Sequence, residues 1–296
     1  IEWLSLGHAN NVEIEKKLRD MNYNFDSMWN KAKHNADGSC PAGYKSTNSG
    51  NVGQLCVQLK KDQAIYASRF ETRLYAAYLG ATTEFNKSEG ITFNPDQNRL
   101  YLAISNIEKS MEDNRKKSRA NDKYDKGGNN DIKLAYNVCG AVYSLDVVEN
   151  KKDFSGKPIQ SNFVATNMYA EVAGQVVNYS NPLYASNQCN LNSISSPDNL
   201  SYLPKYGVLL IGEDTQDNQT DKIWAYNVRS KKLTKIFSAP YGSESTSPYW
   251  YTNINGFGYF TAVVQHPYGE TDKDKARNEK DKESYVGYVG PFPRLD

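Results

Sequence analysis

From about residue 90 onward the chain alternates apolar and polar positions in short runs, the period of half-buried β-strands. The first run predicts strands over 90–94 and 100–104, joined by Asn94-Pro95-Asp96-Gln97-Asn98, residues that fix or tolerate turn dihedrals. The pattern resumes at 140–147 and again near 162–173, which makes a unit of four strands. A second unit is more compact: 199–203, 207–212, 222–228 and 233–237, the last two joined by a hairpin turn at Arg229-Ser230-Lys231-Lys232. A third begins near Pro248-Tyr249-Trp250-Tyr251, continues through 258–264 and ends at 285–289, after a charged insertion. The first eighty residues read differently. Val12, Ile14, Leu18 and Met21 make an imperfect helical stripe behind an Asn cap, predicting a packing helix within 10–34. A second helix is predicted from an Asp62 cap to a Gly80 stop. Arg69 and Glu71 are two apart, so they diverge on a helix and share a face on an extended segment; the pattern leaves that conformation open.

The first two units are copies. Laid over each other without a gap, they place Glu89 over Asp198, Ile91 over Leu200, Thr92 over Ser201, Phe93 over Tyr202, Pro95 over Pro204, Leu100 over Leu209 and Leu102 over Ile211. The second strand ends on Ser105 in one copy and on Glu213-Asp214 in the other. Four sequential antiparallel strands per unit are the blade of a β-propeller. The expected fold is therefore all-β, a propeller of which residues 81–296 supply about three blades, with a short helical and cysteine-loop lead-in over 1–80. A closed ring takes roughly four blades or more, so the chain reads as part of one.

Composition narrows the partners. With 35 basic and 34 acidic residues the net charge is +1, which gives no field to draw nucleic acid or an anionic membrane. No apolar run is long enough to span a bilayer, and Ile1-Glu2-Trp3-Leu4-Ser5 does not read as an export signal. The 4 cysteines form no CxxC pair. Disulfides Cys40–Cys56, across a polar Gly/Ser/Asn loop, and Cys139–Cys189 are expected in an oxidising compartment; four buried cytosolic thiols are the other reading.

Acids at the unit boundaries are the candidate chemistry: Glu71, Glu84, Glu89, Asp198, Glu213, Asp214, Glu244 and Glu270. In a propeller, equivalent blade positions converge on the central channel. Gathered carboxylates repel unless a cation holds them, and hard oxygen donors with Asn199 nearby favour calcium. Each of these acids alone reads better as a solvated strand end, and only the repeat of Glu89 at Asp198 brings the two readings level there. Arg69 is a candidate phosphate clamp or a local ion-pair partner, and His266 reads better as a structural histidine than as a metal ligand. GxSxG, HExxH, P-loop and GxGxxG signatures are absent, which removes the common serine hydrolase, zincin and nucleotide readings.

Blocks 68–93, 130–147, 187–215, 241–260 and 263–270 together resemble the C-terminal half of the PhoX-type alkaline phosphatases, secreted bacterial phosphomonoesterases, from about Ile1 to Glu270. The resemblance implies a six-bladed propeller whose channel holds calcium and iron, a periplasmic or secreted location, and export by a twin-arginine signal. It implies that Arg69 contacts phosphate and that Glu71, Glu89, Asp198, Asn199, Glu213, Asp214 and Glu270 serve metal. Phosphate monoesters would then be hydrolysed with cations neutralising the phosphate oxygens and Arg69 stabilising the developing charge. The family's iron-binding cysteine belongs to an N-terminal half that these residues do not match, which implies a companion N-terminal polypeptide or a homodimer of three blades plus three. Two rival readings are a calcium-dependent propeller lactonase or phosphotriesterase, and a non-catalytic interaction module.

Overall fold

The computed structural model describes residues 1–20, 22–48, 54–113, 115–120 (backbone alone at 120), 130–269, 276 and 278–295. Its N-terminal portion departs from the predicted helices. Helix α1 (Asn11–Leu18) is capped as expected, with Asn10 Oδ1 accepting from Glu13 N at 2.8 Å. The chain then leaves the helix, restarts as a single turn α2 (Phe25–Met28) in a capping box between Asn24 and Ser27, and runs on as strand β1 (Trp29–Ala32). Burial overrides helical period here. Trp29 pairs with Leu59 and is enclosed with Met28, Val57, Ala67, Leu74 and Tyr75, an apolar gain of about 2–3 kcal/mol per large side chain. Strands β2 (Lys45–Asn48) and β3 (Gln54–Leu59) complete a small antiparallel sheet in the order β1-β3-β2. The predicted 62–80 helix is two, α3 (Ala64–Phe70) and α4 (Thr72–Leu79), broken at Glu71 where φ is −130° and ψ is 47°. Asp62 does not cap it; the N-cap is Gln63, without a side-chain bond, while Gly80 stops α4 with φ 107° as predicted.

Three antiparallel meanders follow, at nearly the predicted bounds. In the first, β4 (Ser88–Asn94) and β5 (Arg99–Ile104) precede an excursion that holds the short hairpin β6 (Arg115–Lys116) and β7 (Arg119–Ala120). It continues with β8 (Ala141–Val148), the short β9 (Val164–Ala165) and β10 (Tyr169–Ala173), in the sheet order β4-β5-β8-β10. The second is β11 (Pro197–Leu203), β12 (Val208–Glu213), β13 (Thr220–Asn227) and β14 (Lys232–Tyr241), each paired to the next. The third has β15 (Glu244–Ile254), β16 (Phe257–Gln265) and β17 (Tyr285–Pro293).

The sheets stack with their first strands side by side, β11 lying between β4 and β15. Alternation decides what lies between them. Tyr101 and Val142 of the first sheet meet Tyr202, Leu209, Ile211 and Trp224 of the second, and Leu210 and Ile223 from the second sheet's other face meet Trp250, Phe260 and Phe292 of the third. The outward face of the first sheet, with Leu102, Ile104, Ala141 and Tyr143, is covered by Ile107, Met111 and Ile132 of the excursion and by Met168. Both predicted disulfides are formed. Cys40–Cys56 closes the polar loop, and Cys139–Cys189 ties the entry of β8 to the segment that leads into β11, with Cα atoms 5.5 and 5.8 Å apart. Among the described residues no helix is long and apolar enough to cross a membrane.

The repeat is also a repeat of irregularities. In β4 the pairs Ser88↔Ile104 and Ile91↔Leu102 leave one extra residue on the first strand, a β-bulge; Pro197↔Glu213 with Leu200↔Ile211 does the same in β11. Thr246↔Val263 with Tyr249↔Thr261 extends it to β15. Glu89 and Asp198 therefore occupy the same bulge position, and Ser247 is their counterpart in the third sheet. The backbone closes in the same way at both earlier bulges, with Ser105 N donating to Lys87 O (3.1 Å) and Asp214 N to Ser196 O (3.0 Å).

Candidate metal centre

The bulges lie at one end of the stacked sheets because their first strands are neighbours. A Cβ built on Gly90 would stand 2.4 Å from the carbonyl oxygen of Asp198, so only glycine lets β4 approach β11 this closely. On the other side, Asn199 Oδ1 accepts from the backbone N–H of Ser247 at 2.7 Å, fastening the bulge of β11 to that of β15. The amide of the same Asn199 donates to Asp198 Oδ1 at 2.7 Å.

These ties bring three carboxylates together. Asp198, Asp214 and Glu244 each offer an oxygen within 4.8 Å of the others. Asp198 comes from the β11 bulge, Asp214 from the residue after β12, and Glu244 from the first position of β15. Burial, then the charges of Glu89 and Asp214, push the Asp198 carboxyl up to about 6. Glu244 is pushed up as well, by burial first and then by Asp214 and Asp198, against a contact with His266 Nε2 at 3.2 Å. Among the described residues a lysine and a histidine flank the acids: Lys87 Nζ lies 2.8 Å from Asp214 Oδ2, and His266, with φ 32°, faces Glu244. Glu89 is exposed and acts on Asp198 through its charge.

The other sequence candidates are placed elsewhere. Glu213 is fully buried: its Oε1 accepts from Ser195 N (2.8 Å) and Trp224 Nε1 (2.6 Å), and its Oε2 from Lys222 N (2.9 Å). It anchors the second sheet, and the adjacent Asp214 belongs to the cluster because successive strand residues face opposite ways. Arg69 lies on α3, where its guanidinium donates to Ser68 and to Gly7 O (2.8 Å), and Glu71 sits at the break before α4. Neither makes a hydrogen bond or ion pair with the carboxylates. Glu84 is buried and accepts from Thr82 Oγ1 and the backbone of Asp131 and Ile132, pinning the excursion. Glu270 lies outside the described residues.

Glu244 and Lys87 were not among the residues assigned to metal or catalysis from sequence. Glu244 has no counterpart in the gapless overlay, since the third sheet's bulge residue is Ser247; its position at a unit boundary was the only signal. Lys87 stands two residues before Glu89, and nothing in the chain marks it. The oxygen of Asn199, expected to serve metal, is turned to Ser247 N, and its amide group faces Asp198. The donor set is carboxylate oxygen, the chemistry that suits a hard divalent cation such as calcium. It does not suit a site built on thiolate, because all 4 cysteines are in disulfides. Comparison with protein-family models, with curated proteins and with solved structures finds no match for this chain.

Proposed function

We propose that the chain is the C-terminal half of a calcium-dependent phosphomonoesterase of the PhoX type, with Asp198, Asp214 and Glu244 as the protein ligands of the cation. The observation that carries this reading is the convergence of those carboxylates, within 4.8 Å, from strand ends of two different sheets. Like charges held so close, partly buried and repeated at a bulge, are a costly arrangement that a dication relieves. In this reading the meanders are blades, their first strands line the channel of an incomplete propeller, and the two disulfides belong to a periplasmic or secreted protein.

A bound cation would supply Lewis acidity and charge neutralisation to a phosphate ester. The chain's own residues do the rest. Asn199 holds Asp198 and ties β11 to β15. Glu244 orients His266 through the 3.2 Å contact with its Nε2, which places the imidazole beside the cluster. Arg69 makes no contact with the cluster, so stabilisation of phosphate charge rests on Lys87 or on a companion polypeptide in place of the residue that the resemblance implied. Iron would need donors from that companion as well.

The test is calcium titration calorimetry on the wild type and on Asp198→Asn/Glu244→Gln, followed by hydrolysis of a chromogenic phosphate monoester with and without a chelator. Calcium binding that the double variant loses by at least about a hundredfold, two charged ligands being gone, supports the reading. Undiminished binding in that variant overturns the site, and hydrolysis indifferent to the chelator overturns the activity.

A further inference from the structure

We propose that Lys87 is the built-in counter-cation of this site: its ammonium group holds Asp214 in the cation-free protein, and a divalent cation must displace it to bind. The inference rests on the cation-binding reading above and concerns a residue that the reading did not assign as a ligand.

Lys87 enters β4 with φ 47°, a left-handed conformation that a lysine adopts at some cost. Its counterpart before β11 is Ser196, with φ 44° and the same backbone hydrogen bond from the residue after the second strand. The bend is therefore satisfied by a serine, and nothing in the backbone calls for a long cationic side chain. What lysine adds is its ammonium group, 2.8 Å from Asp214 Oδ2 across 127 residues of sequence, joining the first sheet to the second. Glu89 and Asp198 are close enough to act on the same charge. Three carboxylates, Asp198, Asp214 and Glu244, thus crowd one end of the sheets with the charge of Glu89 beside them, and among the described residues the ammonium of Lys87 answers them at Asp214; His266 serves Glu244 on the other side. Asp214 is the carboxylate that both the ammonium and an incoming dication need.

Mutual exclusion follows from charge. A unit positive charge a few ångströms from a dication repels it even at the dielectric of water, enough to weaken binding about tenfold or more. Lys87 thereby sets the cation concentration at which the site fills, and keeps the carboxylates from driving the bulges apart below it.

The experiment measures calcium affinity by titration calorimetry at low salt, and melting of the calcium-free protein by scanning calorimetry, for wild type, Lys87→Met and Lys87→Arg. The expected result is about tenfold tighter calcium binding by Lys87→Met with a lower calcium-free Tm, and wild-type affinity for Lys87→Arg. A Lys87→Met variant that binds calcium while the wild type shows no binding supports the proposal equally. Equal or weaker binding by Lys87→Met, when the wild type binds, overturns it and leaves the cation site standing. Binding by neither protein overturns both.

Discussion

Asp198 holds its proton up to about pH 6 in the cation-free protein because burial and the nearby Glu89 and Asp214 charges disfavour its anion. A cation can use this carboxylate only after the proton leaves. Calcium affinity should therefore be level above about pH 7 and fall by up to roughly tenfold per pH unit below 6. Titrations at pH 7.5 and pH 5 test this, and equal affinities would remove Asp198 from the ligand set. Asp221 is a different case. It is buried, its Oδ2 accepts from Thr215 N at 3.1 Å, its Oδ1 has no hydrogen-bond partner among the described residues, and burial with the Glu213 charge pushes it up to about 9. The folded chain thus binds one more proton here than the unfolded chain between the ordinary carboxyl range and pH 9. Stability is full below that range and is lost as pH rises through about 9. Asp221→Asn keeps the shape and removes the charge, so its Tm should exceed that of the wild type at pH 8.5 by more than at pH 5, a difference that scanning calorimetry reads directly.

Within single elements, the bulged first strands depend on side chains that the repeat alone does not display. Glu213 at the end of β12 satisfies Ser195 N, Lys222 N and the Trp224 indole at once. Glu213→Ala would orphan all three buried donors and is expected to cost about 3 kcal/mol or more in urea unfolding, while the exposed Glu89→Ala stays within about 0.5 kcal/mol. Removal of the Cys139–Cys189 bridge, which closes a separation of 50 residues, is expected to cost about 2–5 kcal/mol by the same measurement, with the Cys40–Cys56 bond left intact in non-reducing mass mapping. At Gly90 the added methyl group of alanine meets backbone, not a movable side chain, so Gly90→Ala must push β4 away from β11 and draw Lys87 and Glu89 away from the cluster.

At the scale of the molecule, the stack of sheets ends asymmetrically. The excursion covers the outward face of the first sheet, whereas the third presents Tyr249, Tyr251, Val286 and Tyr288 to solvent, Val286 at 85% exposure. A three-plus-three homodimer would have to lay this third sheet on the outward face of the first sheet in a second copy, which is already occupied. A companion polypeptide that supplies the next sheet is the better fit to our proposal. Produced alone, the chain should self-associate through this face, and Val286→Glu/Tyr288→Lys should shift it toward monomer in light scattering. A wild type that is monomeric at all concentrations would show the face to be a finished surface.

The sequence by itself determined the strands of the three meanders and the equivalence of Glu89 with Asp198, because strand alternation and turn chemistry are local signals that burial here reinforces; that the equivalent positions are bulges, and that the four cysteines pair as expected, was decided by the structure. Tertiary structure alone decided where helix gave way to strand at Trp29, since the gain from enclosing an indole is not written in its neighbours' period. It also decided which acids meet. Alternation puts Glu213 and Asp214 on opposite sides but is silent on which side is core, and Glu244 and Lys87 reach Asp214 only because separate sheets stack with their first strands together. Charges distant in sequence interact through the space that packing creates, and that space is set by the whole chain.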